Sequence, residues 1–134
     1  MKYTLMESDS FNQYMKKAEE KLKSSEYLFK GGFYEDAISR AYYSMYYAAR
    51  ALLSLKKIHP KTHKGVIREL GLEMIKKGFL DEVYGKTISH AKDRREQADY
   101  GLDIKTTKED ARQLLEETRE FIQKIEEARK GLNR

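Results

Sequence analysis

The stretch AKDRREQADYG, residues 91–101, sets charge where the local pattern wants apolar side chains. Tyr84, Ile88, Ala91, Ala98 and Leu102 recur at helical spacing, and Arg95 falls on the same stripe, four residues after Ala91. A guanidinium on such a stripe must be paired, set at an interface or aimed into a cleft, because a lone buried charge is prohibitive. Asp99 lies one turn further and can reach it along the helix. The alternative is an anion, above all a phosphate, whose geometry suits the planar guanidinium fork. Spacing leaves the two uses open. Arg94 sits to one side of the stripe, and Tyr100 closes the segment.

The three histidines give little independent chemistry. His59 and His63 are four apart, but Pro60 stands between them and no carboxylate follows closely enough to complete a zinc site. His63 reads as a residue that steadies the start of a short helix, and His90 as a surface residue. No glycine-rich phosphate loop is present, since Gly31-Gly32 and Gly71 lack the flanking pattern. The absence of cysteine removes disulfides and thiolate metal sites. Neither a metal nor a cofactor is expected.

These residues are carried by helices. The expected first helix runs from about Ser10 to Lys30, with Ser10 and Gln13 at capping-box spacing and an inward stripe of Phe11, Tyr14, Met15, Ala18, Leu22 and Phe29. Gly31-Gly32 ends it. The second covers Tyr34 to Lys57, before Pro60. Thr62 caps a short third helix with Val66, Ile67, Leu70, Met74 and Ile75 inward, stopped at Gly78. The fourth spans Asp81 to Tyr100, with Gly101 as its C-terminal cap. The fifth starts from Thr106 and Glu109 at capping-box spacing and buries Ala111, Leu114, Leu115, Thr118, Phe121, Ile122, Ile125 and Leu132. No segment alternates as a strand does, and short connections favour antiparallel neighbours. The expected fold is an all-α antiparallel bundle of about five helices in a single domain, residues 1–134.

The second helix has two faces to bury. Ile38, Ala41, Tyr42, Met45, Ala49 and Leu52 share one. Tyr43 and Tyr47 point the other way beside Arg40 and Arg50, and aromatics with arginine are the types enriched at interfaces. Either this helix is central in its own bundle, or Tyr43, Tyr47 and Arg50 meet another chain.

The charge balance adds a direction. The net charge of +5 resides in residues 56–95, which hold 11 basic and 5 acidic groups. Such a surface attracts phosphate-bearing partners. With no apolar run long enough to span a bilayer and no secretory leader, the chain is expected in the cytoplasm, away from membranes.

Three stretches together, FYEDAISRAYYSMYYAARALL, THKGV and AKDRREQADYG followed by the capped last helix, resemble the HEPN domain family (higher eukaryotes and prokaryotes nucleotide-binding), specifically its short stand-alone prokaryotic members. The resemblance implies a homodimer with basic residues meeting in a cleft. It also implies a minimal nucleotidyltransferase as partner in a two-component, toxin–antitoxin-like module. Several members cleave RNA without metal, using an Arg followed after four to six residues by a His. The arginine carries over to Arg95, but Tyr100 stands where the His would come, and no His follows it.

The reading is therefore a binding module rather than an enzyme, engaging RNA or a nucleotide through Arg40, Lys64, Arg94, Arg95, Asp99 and Tyr100. The alternatives are a divergent ribonuclease, in which Arg95 polarises the phosphate and Tyr100 or His63 assists, and a purely structural interaction domain in which Arg95 and Asp99 lock the fold.

Overall fold

The computed structural model describes residues 3–102 and 105–133. Five α-helices are found among them: α1 (Leu5–Lys30), α2 (Tyr34–Ser54), α3 (His63–Leu70), α4 (Glu82–Tyr100) and α5 (Lys108–Leu132). A π-helical turn, Gly71–Ile75, continues α3. No strand occurs among the described residues.

Helix ends follow local hydrogen-bond chemistry, and several differ from expectation. Ser10 lies inside α1, which starts earlier. The Thr4 hydroxyl accepts from the Glu7 amide at 3.1 Å, and the Glu7 carboxylate accepts from the Thr4 amide at 2.7 Å. Thr4 and Glu7 thus form the same capping box a turn and a half upstream. In α5 the cap is Thr107 with Asp110, one residue beyond the expected Thr106 and Glu109. That register lets Asp110 also meet Arg94 of α4 at 3.3 Å.

Gly101 caps α4 as expected, its amide donating to the Gln97 carbonyl at 2.8 Å, but in an extended rather than a left-handed conformation (φ −86°, ψ 103°). Leu102 is then off the helix and 99 % exposed, outside the stripe assigned to it. Helical spacing simply stops applying after Tyr100. α2 also ends three residues before Lys57. The Lys57 amide donates to Ser54 and the Ile58 amide to Leu53, closing a Schellman-type end around Lys57 at φ 60°.

The bundle is antiparallel. Ser25 Oγ donates to the Ala37 carbonyl at 2.6 Å and Ser44 Oγ to Ala18 at 2.7 Å, so α1 and α2 run in opposite directions. Arg94 with Asp110 and Tyr84 with Glu120 fix the same sense for α4 and α5. Glu26 with Arg119 and Phe11 with Arg129 do so for α1 and α5.

The two faces of α2 are accounted for inside the chain, because it packs against α1, α3, α4 and α5. Ala37, Ala41, Ala48, Ala49 and Ala51 are buried, and their small side chains let neighbours approach closely. What remains open is a strip carrying Arg40, exposed, and Tyr43, Tyr47 and Arg50, partly buried.

Candidate functional site

Arg95 is positioned by α4 and roofed onto α2. Its guanidinium carbon lies 5.2 Å from the Tyr42 ring centre and 5.5 Å from that of Tyr43, a cation resting on two aromatic faces. Its side chain is only 13 % exposed. Its polar contacts are nevertheless loose: Asp99 at 3.5 Å and the Tyr43 hydroxyl at 3.5 Å, both through Nη1, while buried Nε has no partner among the described residues. An arginine whose task is to lock a fold makes short, paired bonds. This one is oriented by the aromatic rings, with most of its donors unspent.

His63, the first residue of α3, lies against the same tyrosines. Its ring stacks on Tyr46 with centres 4.3 Å apart, and its Nδ1 is 2.6 Å from the Tyr42 hydroxyl. Thr62 places it there, since its hydroxyl caps the Gly65 amide at 2.9 Å and fixes the turn before the helix. Burial, followed by the cations of Arg95, Lys92 and Arg50, holds the His63 pKa below the usual histidine value, with Glu96 opposing. Burial pushes the Tyr42 phenol well above its usual range. A neutral imidazole beside a protonated phenol accepts at Nδ1 and carries its own proton on Nε2. Among the described residues Nε2 has no hydrogen-bond partner.

A shallow groove of about 420 Å³ opens beside these groups, lined by Thr62, His63, Lys64, Lys92, Arg95, Glu96 and Tyr100. Its volume falls in the range of small-molecule clefts. Lys92 pairs with Glu96 at 2.6 Å, which lowers the Glu96 pKa. Tyr100 is 76 % exposed at its end. Behind His63, Arg50 is clamped between two tyrosines, donating to Tyr46 at 3.0 Å and Tyr14 at 3.3 Å. Among the described residues it has no carboxylate partner, so its charge acts on the groove uncompensated.

The residues singled out by sequence divide accordingly. Arg95, Lys64, Tyr100 and His63 come together, with Asp99 on the far side of Arg95. Arg94 turns to α5 and bridges Asp110. Arg40 lies in a different groove, with Lys21, Lys23 and Tyr27 of α1. Tyr43 belongs to the Arg95 roof, and Tyr47 packs on Tyr46 under the ammonium of Lys17, 5.5 Å from its ring. His59 lines another cavity, with Thr4, Met6 and Glu7, and is not paired with His63. No three-residue group able to hold a metal is found among the described residues.

Sequence reasoning missed Lys92, Glu96, Tyr42 and Tyr46. The first two had a readable signal: Lys92 stands three residues before Arg95 and four before Glu96, on one helical face. Tyr42 read as core and Tyr46 was given no face, and only the need of a buried phenol for a hydrogen-bond partner hinted at more.

The sequence profile of the HEPN domain matches residues 11–128. A protein named "Putative toxin MJ0605" from Methanocaldococcus jannaschii is 40 % identical over 115 residues, covering 86 % of this chain and 85 % of its own length. A second from that organism, "Putative toxin MJ0142", is 42 % identical over 110 residues, covering 82 % of this chain and 75 % of its own. "UPF0332 protein PH1297" of Pyrococcus horikoshii is 45 % identical over 84 residues, 63 % of this chain and 59 % of its own. No described helix is long and apolar enough to cross a membrane.

Proposed function

The chain belongs to the HEPN domain family, and from that premise we propose that it is the toxin-like half of a two-component module. In this reading it acts as a homodimeric helical binder that takes phosphate groups of RNA or a nucleotide in the His63–Arg95 groove and docks a minimal nucleotidyltransferase. The single observation that carries it is Arg95, held on two tyrosines with its donors loosely partnered at the edge of a groove that also presents Lys64, Lys92 and His63. The names of the two relatives from Methanocaldococcus jannaschii support the toxin-like assignment.

The test is titration of a fluorescent single-stranded RNA with the purified protein at several salt concentrations, with Arg95→Ala beside it. Binding that weakens with salt, and a variant at least about tenfold weaker with a salt slope reduced by roughly 0.7, supports the reading. Salt-independent or absent binding refutes it. A variant that loses stability but binds RNA as the parent does returns Arg95 and Asp99 to a purely structural pair. Light scattering on the same samples decides the dimer.

A second reading, a divergent metal-independent ribonuclease, is favoured by one observation: His63 of α3 shares a groove with Arg95 even though no His follows it in sequence. Cleavage of RNA without metal that disappears in both Arg95→Ala and His63→Gln supports it. RNA left intact by the parent protein removes it.

A further inference from the structure

We propose that the groove is a proton-linked site for a phosphate monoester, in which Arg95 and Lys64 hold the phosphate and His63, donating from Nε2, takes up a proton as the phosphate arrives. This rests on the reading that the groove binds phosphate, and narrows its ligand to a terminal phosphate.

The charges around His63 make the case. α2 presents Tyr42, Tyr43, Tyr46 and Arg50, α4 presents Lys92, Arg95 and Glu96, and Lys64 follows on α3 itself. Asp99 joins through Arg95. Four cations thus face two carboxylates around a neutral imidazole. A monoester dianion matches that excess, whereas one diester phosphate, with a single charge, leaves part of it unneutralised. Once a dianion cancels the field of Arg95, Lys92 and Arg50, their effect in keeping the imidazole neutral is removed.

The Tyr42 hydroxyl makes protonation compatible with a fixed ring. It donates to Nδ1 of the neutral imidazole and, having both functions, accepts from Nδ1–H of the charged one. Solvent supplies the proton to Nδ1. Stacking on Tyr46 keeps the ring in place against the groove that His63 lines. The site therefore combines a hydrogen-bond donor with an imidazole whose protonation the arriving phosphate favours. Binding tightens as pH falls through the interval between the free and bound pKa values of His63, by up to about tenfold per pH unit.

Two measurements test this with AMP as probe. Calorimetric titration at pH 7.5 in two buffers of contrasting ionisation enthalpy counts the protons bound per AMP. A substantial fraction of one proton is expected, and it vanishes in His63→Gln, which binds several-fold more weakly. The imidazole proton resonances of the unaltered chain give the second readout, decisive should His63→Gln fold poorly. The His63 resonances should titrate at a lower pH in the free protein than in the protein saturated with AMP.

AMP binding without proton uptake, or with uptake that survives in His63→Gln, overturns the proposal. So does failure of AMP and of a 5′-phosphorylated RNA to bind better than the same RNA with a 5′-hydroxyl. In that case salt-sensitive binding of the 5′-hydroxyl RNA keeps the broader phosphate-binding reading, and no binding of any probe removes both. A preference for the 5′-phosphorylated RNA over AMP assigns the phosphate to an RNA end, and the reverse assigns it to a free nucleotide.

Discussion

Replacing Tyr42 by phenylalanine tests the site's central hydrogen bond. Tyr42 is fully buried, so the substitution keeps the ring that supports Arg95 and deletes only the hydroxyl 2.6 Å from His63 Nδ1. The loss has two parts. The bond itself contributes about 1 kcal/mol net, and the imidazole nitrogen left behind loses its partner in a half-buried position that solvent only partly reaches. Together these give a destabilisation of about 1.5 kcal/mol. For a chain of this length that lowers the melting temperature by roughly 5 °C.

Urea unfolding followed by circular dichroism at pH 7 measures it directly. The double variant with His63→Gln should cost less than the sum of the singles by about 1 kcal/mol, because both remove one shared bond. A Tyr42→Phe protein within 0.3 kcal/mol of its parent, or strict additivity in the cycle, would refute the coupling of Tyr42 to His63.

Four further outcomes follow from the packing. His63 is held below its unfolded pKa, so the unfolded chain binds more protons between the two values. Stability should accordingly fall as pH drops through about 6.5, and urea midpoints of His63→Gln should vary less over pH 5.5–7.5. Lys57→Gly should stabilise the fold by about 1 kcal/mol, since φ 60° disfavours any residue with a Cβ; chemical denaturation reads the gain. Phe121→Ala, at a fully buried position beside Tyr84, should cost about 3–5 kcal/mol in the same assay. Ser44→Ala should cost about 1 kcal/mol through the lost bond to the Ala18 carbonyl, seen as a lower urea midpoint.

Periodicity was enough for the helices and for nearly all of the core, because an amphipathic stripe states which face is buried. Ile38, Ala41, Tyr42, Met45, Ala49 and Leu52 are all buried, and so are Leu114, Leu115, Thr118, Phe121 and Ile125. Helix ends were less legible. Ser10 with Gln13 and Thr4 with Glu7 have the same spacing, and only the free energy of the extra turns and their contacts decides between them. The π-helical turn at Gly71–Ile75 left no mark in the pattern, since Leu70 and Met74 are one α-turn apart in either geometry.

In the site, Arg95 was legible because a charge on an apolar stripe demands an explanation. His63 was named only as an assistant in the ribonuclease alternative; that it lines the same groove as Arg95 follows from α3 and α4 packing together on α2, which no local spacing encodes. Arg94 and Arg40 show the converse. Both are basic and close in sequence to site residues, yet 100° of helix rotation per residue sends each to a different neighbour.

The spinal position of α2 has a practical corollary. The groove draws on α3 and α4 and is floored by tyrosines of α2, the element on which every other helix leans. A compound that binds the folded groove and not the unfolded chain adds its binding free energy to global stability. Occupancy at 100 times the dissociation constant adds about 2.7 kcal/mol, several degrees in a chain of this length. A dye-based thermal-shift screen of nucleotides and short RNAs against the unlabelled protein therefore reads out its ligand directly, with no assay of activity required.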